Sequence, residues 1–576
     1  MSRHTTFVLF VRPKLRWQYI LSFFICNLCL LALLLPAQFT LARTLSAPGI
    51  IWPRGQVLPH FCCMSGPLDE ISVVNLNDEQ NILFTSLEGL VNRTQPRIYV
   101  QQRSREDATL WPRAMHLVVN IVDNPYALIT KYSSEIAGIV IYDPAVPDTI
   151  NLATTIAGVR GALVASPNEA AILASVQYHL PVLVDLRANR FPSGDAVYQY
   201  TLNNFWSRPQ AEHRLLIGLP PGPSGLRDYA IATGATVVWL DAGSTTDPYQ
   251  KLLLDSFYYS MTPGSSYVGW YPNEIAGMQE TSLFGITSYA ADLSQNLTIL
   301  GAGSHRISHP LSQRATPVLR NKIYVALFMS DGDNVQVDQH LLATKWADPY
   351  RGSVPIGWTI DPVLVDMAPA ILNYYWETAT PNDELVAGPS GLGYILTDQL
   401  PRTTLNLYTA QSASYMSQAG VDIATVWNTV NGIPQRVGDS YAMNGRHHVL
   451  GITTQNRLNV DQTGPHIFDH SLYSLPMSAP YAFNQNDLIL AILRATNGYN
   501  SRSGPRFLAL QANLNSPYIS PTTLYNVQQL FKQNQDIVFV GPEELFRLLA
   551  ENHLKTSAAN RYAMDSHRLL RSRRHK

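Results

Sequence analysis

The chain has 576 residues, 46% hydrophobic and 14% charged, which is the composition of an ordinary globular protein at several times the usual domain size. Its formal net charge is −1, with no basic stripe and no acidic block in the middle of the chain, so nothing electrostatic argues for a nucleic-acid partner, and none is expected. More than one core is expected.

The N-terminus carries Arg3, Arg12, Lys14 and Arg16, then an apolar run over residues 19–35, Pro36 and the small-residue site Thr40-Leu41-Ala42. That order predicts a secretory leader, residues 1–42, and a secreted or extracytoplasmic protein. The competing reading is an uncleaved anchor, since about 17 apolar residues approach the roughly 20 that span a bilayer. Cys26 and Cys29 lie in the leader, leaving only Cys62 and Cys63. Adjacent cysteines strain a mutual disulfide and lack the ligand spacing of a zinc site, so free thiols are expected and stability must come from core burial. Asn92-Arg93-Thr94 and Asn296-Leu297-Thr298 fit the glycosylation sequon.

From Ile71 the pattern predicts three small α/β modules, at residues 57–125, 126–190 and 191–263. The first has a helix over 78–92 and a strand over 97–100. The second has strands over 138–142 and 162–165 about a helix, and the third has strands over 214–218 and 236–240 about another. Each is too small to bury a large core alone, so the three are expected to pack together. Residues 264–555 change character: apolar strands that each end in a polar cluster alternate with helical stretches, beginning with 267–271 and 285–289. This predicts an α/β fold whose C-terminal part is a TIM-like β/α barrel, with an open doubly wound sheet as the alternative. Residues 556–576 are basic and without apolar periodicity, and are expected to be a disordered tail.

The densest polar cluster, Ser330-Asp331-Gly332-Asp333-Asn334-Val335-Gln336, follows the strand 323–329. At the C-terminal end of a barrel strand its side chains would face a pocket. Asp331 and Asp333 could supply one or both of the carboxyl groups that glycoside hydrolysis uses, while Asn334 and Gln336 suit sugar hydroxyls. The same residues also read as a plain turn or as oxygen ligands for a divalent cation. No cofactor and no metal site is assigned. Further strand-end candidates are Glu274, Glu280 and Asp361 as the second carboxyl group, with Asn428, Gln455, Gln511 and Asn513 as polar lining. Trp270, Trp358 and Trp427 could stack on a pyranose or merely fill core. His340, on a predicted helix, reads as a surface or packing residue and not as a ligand. A second cluster, Gly388-Pro389-Ser390-Gly391-Leu392-Gly393-Tyr394, lets backbone approach a ligand and puts Tyr394 at a rim. It meets neither the phosphate-loop spacing nor that of a hydrolase nucleophile elbow.

Taken together, residues 87–99, 138–143, 150–155, 228–232, 329–336, 357–360 and 388–394 resemble, in order, the GxGYxYP family of glycoside hydrolases. The resemblance implies a secreted carbohydrate-active enzyme with a C-terminal β/α barrel and a carbohydrate substrate. It carries Asp331, Asp333, Asn334, Gln336 and Tyr394 over as site residues. The family's Tyr-Pro after Gly391-Leu392-Gly393-Tyr394-Ile395 is replaced by Leu396-Thr397, which would alter substrate contact if the second aromatic lines the pocket. The alternatives are a noncatalytic glycan-binding protein and a metal-dependent carbohydrate deacetylase.

Overall fold

Apolar runs of strand length alternate with helical stretches along the chain, and the computed structural model turns them into parallel sheets joined by helices. It describes residues 50–309, 317–330, 334–446, 448–455 and 464–573. The leader and the pair Asp331 and Asp333 lie outside the described residues.

A short antiparallel pair, β1 (Ile50–Ile51) and β2 (His60–Phe61), opens the described chain. In the first module β3 (Leu68–Ser72) lies between β4 (Ile98–Gln101) and β5 (Val119–Ile121); in the second, β6 (Gly138–Ile141) lies between β7 (Ala162–Ala165) and β8 (Val182–Asp185). All these pairings are parallel. The helix Asp78–Asn92 starts at a capping box: the Asn77 side chain accepts from Gln80 N at 2.9 Å, and Asn77 N donates back to Gln80 Oε1 at 3.3 Å. Such a cap contributes about 1 kcal/mol. This helix is buried from Ile82 to Asn92 and meets the helix Arg227–Thr233 so closely that a Cβ on Gly89 would sit 2.2 Å from the Asp228 carbonyl oxygen. As the small size of each module requires, the cores merge: Ile71, Leu87, Ile139, Leu163 and Ile231 belong to one cluster.

Both sequons are consumed by this packing. Asn92 accepts from Arg97 N and Ile98 N and donates to Ile98 O, while Asn296 makes the same kind of bridge to Val100. Both side chains are buried, so neither is open to a glycan in the folded protein.

The third module is larger than its sequence pattern predicts. Its sheet has the order β10 (Thr236–Val238), β9 (Leu215–Gly218), β11 (Ser266–Gly269), β12 (Thr287–Ala290), all parallel. The strands expected to open the barrel, 267–271 and 285–289, are β11 and β12. They pair here because Ser266–Gly269 runs in register beside Leu215–Gly218.

The largest sheet is curled. Parallel strands β13 (Ile323–Ser330), β14 (Ile356–Ile360), β15 (Asp383–Ala387), β16 (Ile423–Val426) and β17 (Gly451–Thr454) lead to the hairpin of β18 (His466–Phe468) and β19 (Leu472–Ser474). On the other side of β13 lies β20 (Arg506–Asn513), and β21 (Ile537–Phe539) pairs with the first residues of β13. Main-chain bonds Leu475 N to Ile452 O, Ser478 N to Ala509 O and Ala482 N to Gln511 O link the β17 side to β20 through residues 475–482. The expectation of a β/α barrel is met in its coarse form, a curled half-barrel of mostly parallel strands with helices outside.

Alternation sorts its side chains. In β13, Ile323, Val325, Leu327 and Met329 belong to the outer core, whereas Tyr324, Ala326 and Phe328 meet Leu545, Phe546 and Leu549. These last three lie in the first turns of the helix Pro542–Arg573, which plugs the strands' N-terminal end, with Pro542 against Gly357 and Phe546 against Gly451. Its backbone runs on to Arg573, through most of the tail expected to be disordered; residues such as Ala558, Ala559 and Arg561 favour helix even without apolar periodicity. Cys62 and Cys63 are unbridged and exposed. No helix among the described residues is long and apolar enough to cross a membrane.

Candidate active site

Above the apolar plug, the same alternation places polar side chains on the curled sheet's concave face at its C-terminal ends. Phe328 is succeeded by Ser330, Gly357 by Thr359, Gly451 by Thr453 and Gln455, and Ala509 by Gln511 and Asn513; all these polar residues are buried. Ser330 donates to the Tyr481 hydroxyl at 2.9 Å, and Thr425 to Gln455 Oε1 at 3.0 Å. Buried polar groups of this density need partners, and in these two pairs hydroxyls and an amide supply them for each other.

The loop after β15 forms one wall. Gly393 adopts φ +64° and lies against the Tyr289 ring, where a Cβ would approach to 2.4 Å. Ser390 Oγ donates to Ile395 O at 3.0 Å and accepts from Trp427 N at 2.8 Å, which ties the loop to the end of β16. Main-chain bonds between Tyr394 and Ser288 join it to β12 of the third module. Tyr394, only 3% exposed, thus sits between two sheets. Its ring meets Trp270 edge-on at 5.2 Å and Trp427 at 6.0 Å, and its hydroxyl accepts from Asn334 Nδ2 at 3.3 Å. Asn334 also caps the helix Val335–Gln339 through Val337 N, at 2.9 Å. Gln336 Oε1 accepts from Leu293 N at 2.6 Å, so it holds the loop after β12. Trp270, Asn334, Gln336 and Tyr394 are therefore brought together at one junction, and Trp427 joins them.

Other predicted residues are placed differently. Trp358 lies on the outward face of β14, fully buried, donating to Asp383 Oδ1 at 3.0 Å with its ring 5.0 Å from Trp346. It fills core, because the β alternation that turns Thr359 inward turns Trp358 outward. Glu280 lies in an ion pair with Lys251 at 2.7 Å. Glu274 is the first residue of the helix Glu274–Phe284, four positions beyond Trp270 and half-buried. Asp361 is fully buried; its Oδ1 accepts from Val363 N at 2.9 Å and its N donates to Asp338 Oδ2 at 3.1 Å. Burial, with the charge of Asp361 adding to it, raises the pKa of the Tyr289 hydroxyl. His340 is a packing residue as expected, held between the Glu106 carboxylate at 2.9 Å and Leu293 O at 3.1 Å.

Leu396 and Thr397, where the resemblance breaks, are both buried. Leu396 joins the core of the third module's sheet and Thr397 donates to Asn428 Oδ1. In this chain the changed positions pack inside the protein.

A residue missed by the sequence reading is Asp292, two positions after β12 and next to Leu293, whose N–H donates to Gln336 Oε1 at 2.6 Å. Burial raises its pKa above the ordinary value, partly offset by its own backbone N–H and the Gln336 amide. The signal was there, a carboxyl group just past an apolar strand, the rule that selected Asp361. Among the described residues no group of three His, Cys, Asp or Glu side chains could hold a metal ion.

Three family models match successive parts of the chain: the "GxGYxYP_N second domain" at residues 136–209, the "GxGYxYP third domain" at 213–302, and the "GxGYxYP putative glycoside hydrolase C-terminal domain" at 321–550. The last two divide where the four-stranded and the curled sheets divide. A crystal structure of a "putative hydrolase" from Bacteroides thetaiotaomicron is similar over 88% of this chain and 99% of its own, at 19% identity and a TM-score of 0.74, which shows likeness of fold. A "putative polysaccharide deacetylase" from Mycobacterium smegmatis is similar over 42% of this chain and 95% of its own, at 13% identity; its TM-score of 0.29 carries no argument. No curated protein matches the sequence.

Proposed function

The chain belongs to the GxGYxYP family, and from that premise we propose that it is a secreted glycoside hydrolase acting on an oligo- or polysaccharide. The observation that carries this reading is the junction of Trp270, Tyr394 and Trp427 with Asn334, beside the buried hydroxyls and amides of the curled sheet. Aromatic faces match the apolar side of a pyranose, and amides that donate and accept at once match its hydroxyls. We read the curled sheet as a TIM-like barrel closed by residues 475–482, with its pocket at the strands' C-terminal ends. Asp331 and Asp333, which follow β13 in sequence, are the proposed acidic residues of this end, and the leader supports export.

The test is release of reducing sugar from a panel of oligo- and polysaccharides by residues 45–576, beside Asp331→Ala and Asp333→Ala. Loss of release in folded variants supports hydrolysis at this end of the sheet. Binding without release by the unaltered protein replaces the enzyme with a glycan-binding protein. Abolition of release by a chelator replaces direct acid–base hydrolysis with metal-dependent chemistry.

A further inference from the structure

The curled sheet closes unevenly. Its edge strands are β18 and β20, and residues 475–482 bridge to β20 only from Ala509 onward, through Ser478 N to Ala509 O and Ala482 N to Gln511 O. At the start of β20, Arg506, Phe507 and Leu508 have no strand on that side among the described residues. The wedge left there, between the hairpin of β18 and β19, the helix Gln485–Thr496 and the helix Pro542–Arg573, is a cavity of about 1010 Å³. That is ample for a small-molecule or short oligosaccharide ligand.

Burial grades its walls: Leu508 and Leu549 are buried, Tyr473, Arg506 and Phe507 are half-buried, and Arg494, His466 and His553 are exposed at its mouth. Arg506 is fixed in place, its Nη1 donating to Ala495 O and its guanidinium lying 5.2 Å from the centre of the Tyr499 ring. Arg494 makes no hydrogen bond or ion pair with any described residue. No aspartate or glutamate is among the described lining residues, so two guanidinium charges face the cavity uncompensated, and His466 and His553 add to them when protonated. Such a hollow favours an anion, and guanidinium forks match the oxygens of a carboxylate or sulfate group. The Tyr473 and Phe507 rings, beside the Asn552 amide and the Ser478 and Thr556 hydroxyls, are the kinds of group that hold a sugar ring. Resting on the carbohydrate reading above, we propose that this cavity is a second glycan site, which takes a sugar unit carrying an anionic carboxylate or sulfate group.

Strand β20 runs from Arg506 at this cavity to Gln511 and Asn513 at the candidate active site. At roughly 3.3 Å per residue the two places are about 20 Å apart, so the second site holds a chain without touching the reacting bond. A polymer anchored there keeps its other units at high local concentration near the strands' C-terminal ends. His466 and Ile467 also line a second hollow of about 510 Å³, which gives the chain a path beyond one sugar unit. The carboxylates of that hollow are engaged, Asp469 by Arg446 at 2.7 Å and Asp439 by Gln435 at 2.8 Å, which leaves the preference for an anion to the first cavity.

Titration calorimetry on residues 45–576 compares tetragalacturonate, a sulfated chondroitin tetrasaccharide, neutral cellotetraose and inorganic sulfate. At least one acidic tetramer should bind about tenfold or more tightly than cellotetraose, and Arg494→Glu should weaken it by about tenfold or more, the loss of a charge-assisted hydrogen bond. Whether tetragalacturonate or the sulfated tetramer binds tells a carboxylate site from a sulfate site. Binding of neither, equal binding of cellotetraose, inorganic sulfate held as tightly as the sulfated tetramer, or an affinity unmoved by Arg494→Glu overturns the proposal. Arg494 is exposed, so the variant should keep its melting temperature; if it does not, His553→Glu, at the same mouth, decides by the same tenfold criterion. Reducing-sugar release from the same preparations separates the two readings. Release without acidic binding overturns this site and leaves the hydrolase, whereas acidic binding that Arg494→Glu abolishes, without release from any glycan, leaves the site and overturns the hydrolase.

Discussion

Tyr394 and Trp358 are both buried aromatic residues with a polar handle, yet they sit on opposite sides of the chemistry. The Tyr394 hydroxyl meets Asn334 at the junction, whereas the Trp358 indole N–H meets Asp383 in the outer core. Tyr394→Phe should keep the fold and lower kcat/KM on a cleaved glycan by about tenfold, one hydrogen bond's worth. Trp358→Phe should leave KM unchanged and lower stability by about 2 kcal/mol, read by urea titration. Asp228 gives a pH dependence of its own. Fully buried, it has its pKa pushed up to about 6 from 3.8, chiefly by desolvation and against hydrogen bonds from Thr298 and Tyr229. Its ionisation thus costs the folded state: its contribution is fully present below 3.8 and is lost as pH rises through about 6. Asp228→Asn should flatten the fall in melting temperature across that window, a difference on the order of 3 kcal/mol at most.

Among elements, the plug of the curled sheet makes the sharpest steric demand. A Cβ on Gly451 would sit 2.3 Å from the Phe546 ring, so strand β17 and the helix Pro542–Arg573 meet with no room for a methyl group. Gly451→Ala should cost about 1 to 3 kcal/mol, and Phe546→Leu should recover part of it, measured as unfolding midpoints. Long apolar strands such as Ile323–Ser330 were legible because both faces are buried and the run is continuous. The short β5, β8, β18 and β19 were not, since three or four half-buried residues carry no distinguishable period. The sequons were equally legible as motifs, but only the partners of Asn92 and Asn296 reveal that their amides serve as backbone clips.

Across the whole molecule, polar contacts join the N-terminal modules to the curled-sheet domain, and Glu106 to His340 is one of the most buried. Glu106→Ala leaves His340 Nδ1 without that partner and should raise hydrogen exchange in residues 101–108 and 335–346 while sparing β13 to β15. The sequence alone was enough for the succession of the longer strands and helices, the family and most of the polar strand ends, because each of these is a local pattern of residue types along a few turns or one strand. Tertiary structure decided which sheet β11 and β12 join, which way Trp358 faces, and that Leu293 meets Gln336 across 43 positions. Register and packing are settled by pairings between distant segments, and a carboxyl group becomes a candidate acid only when the fold takes its water away.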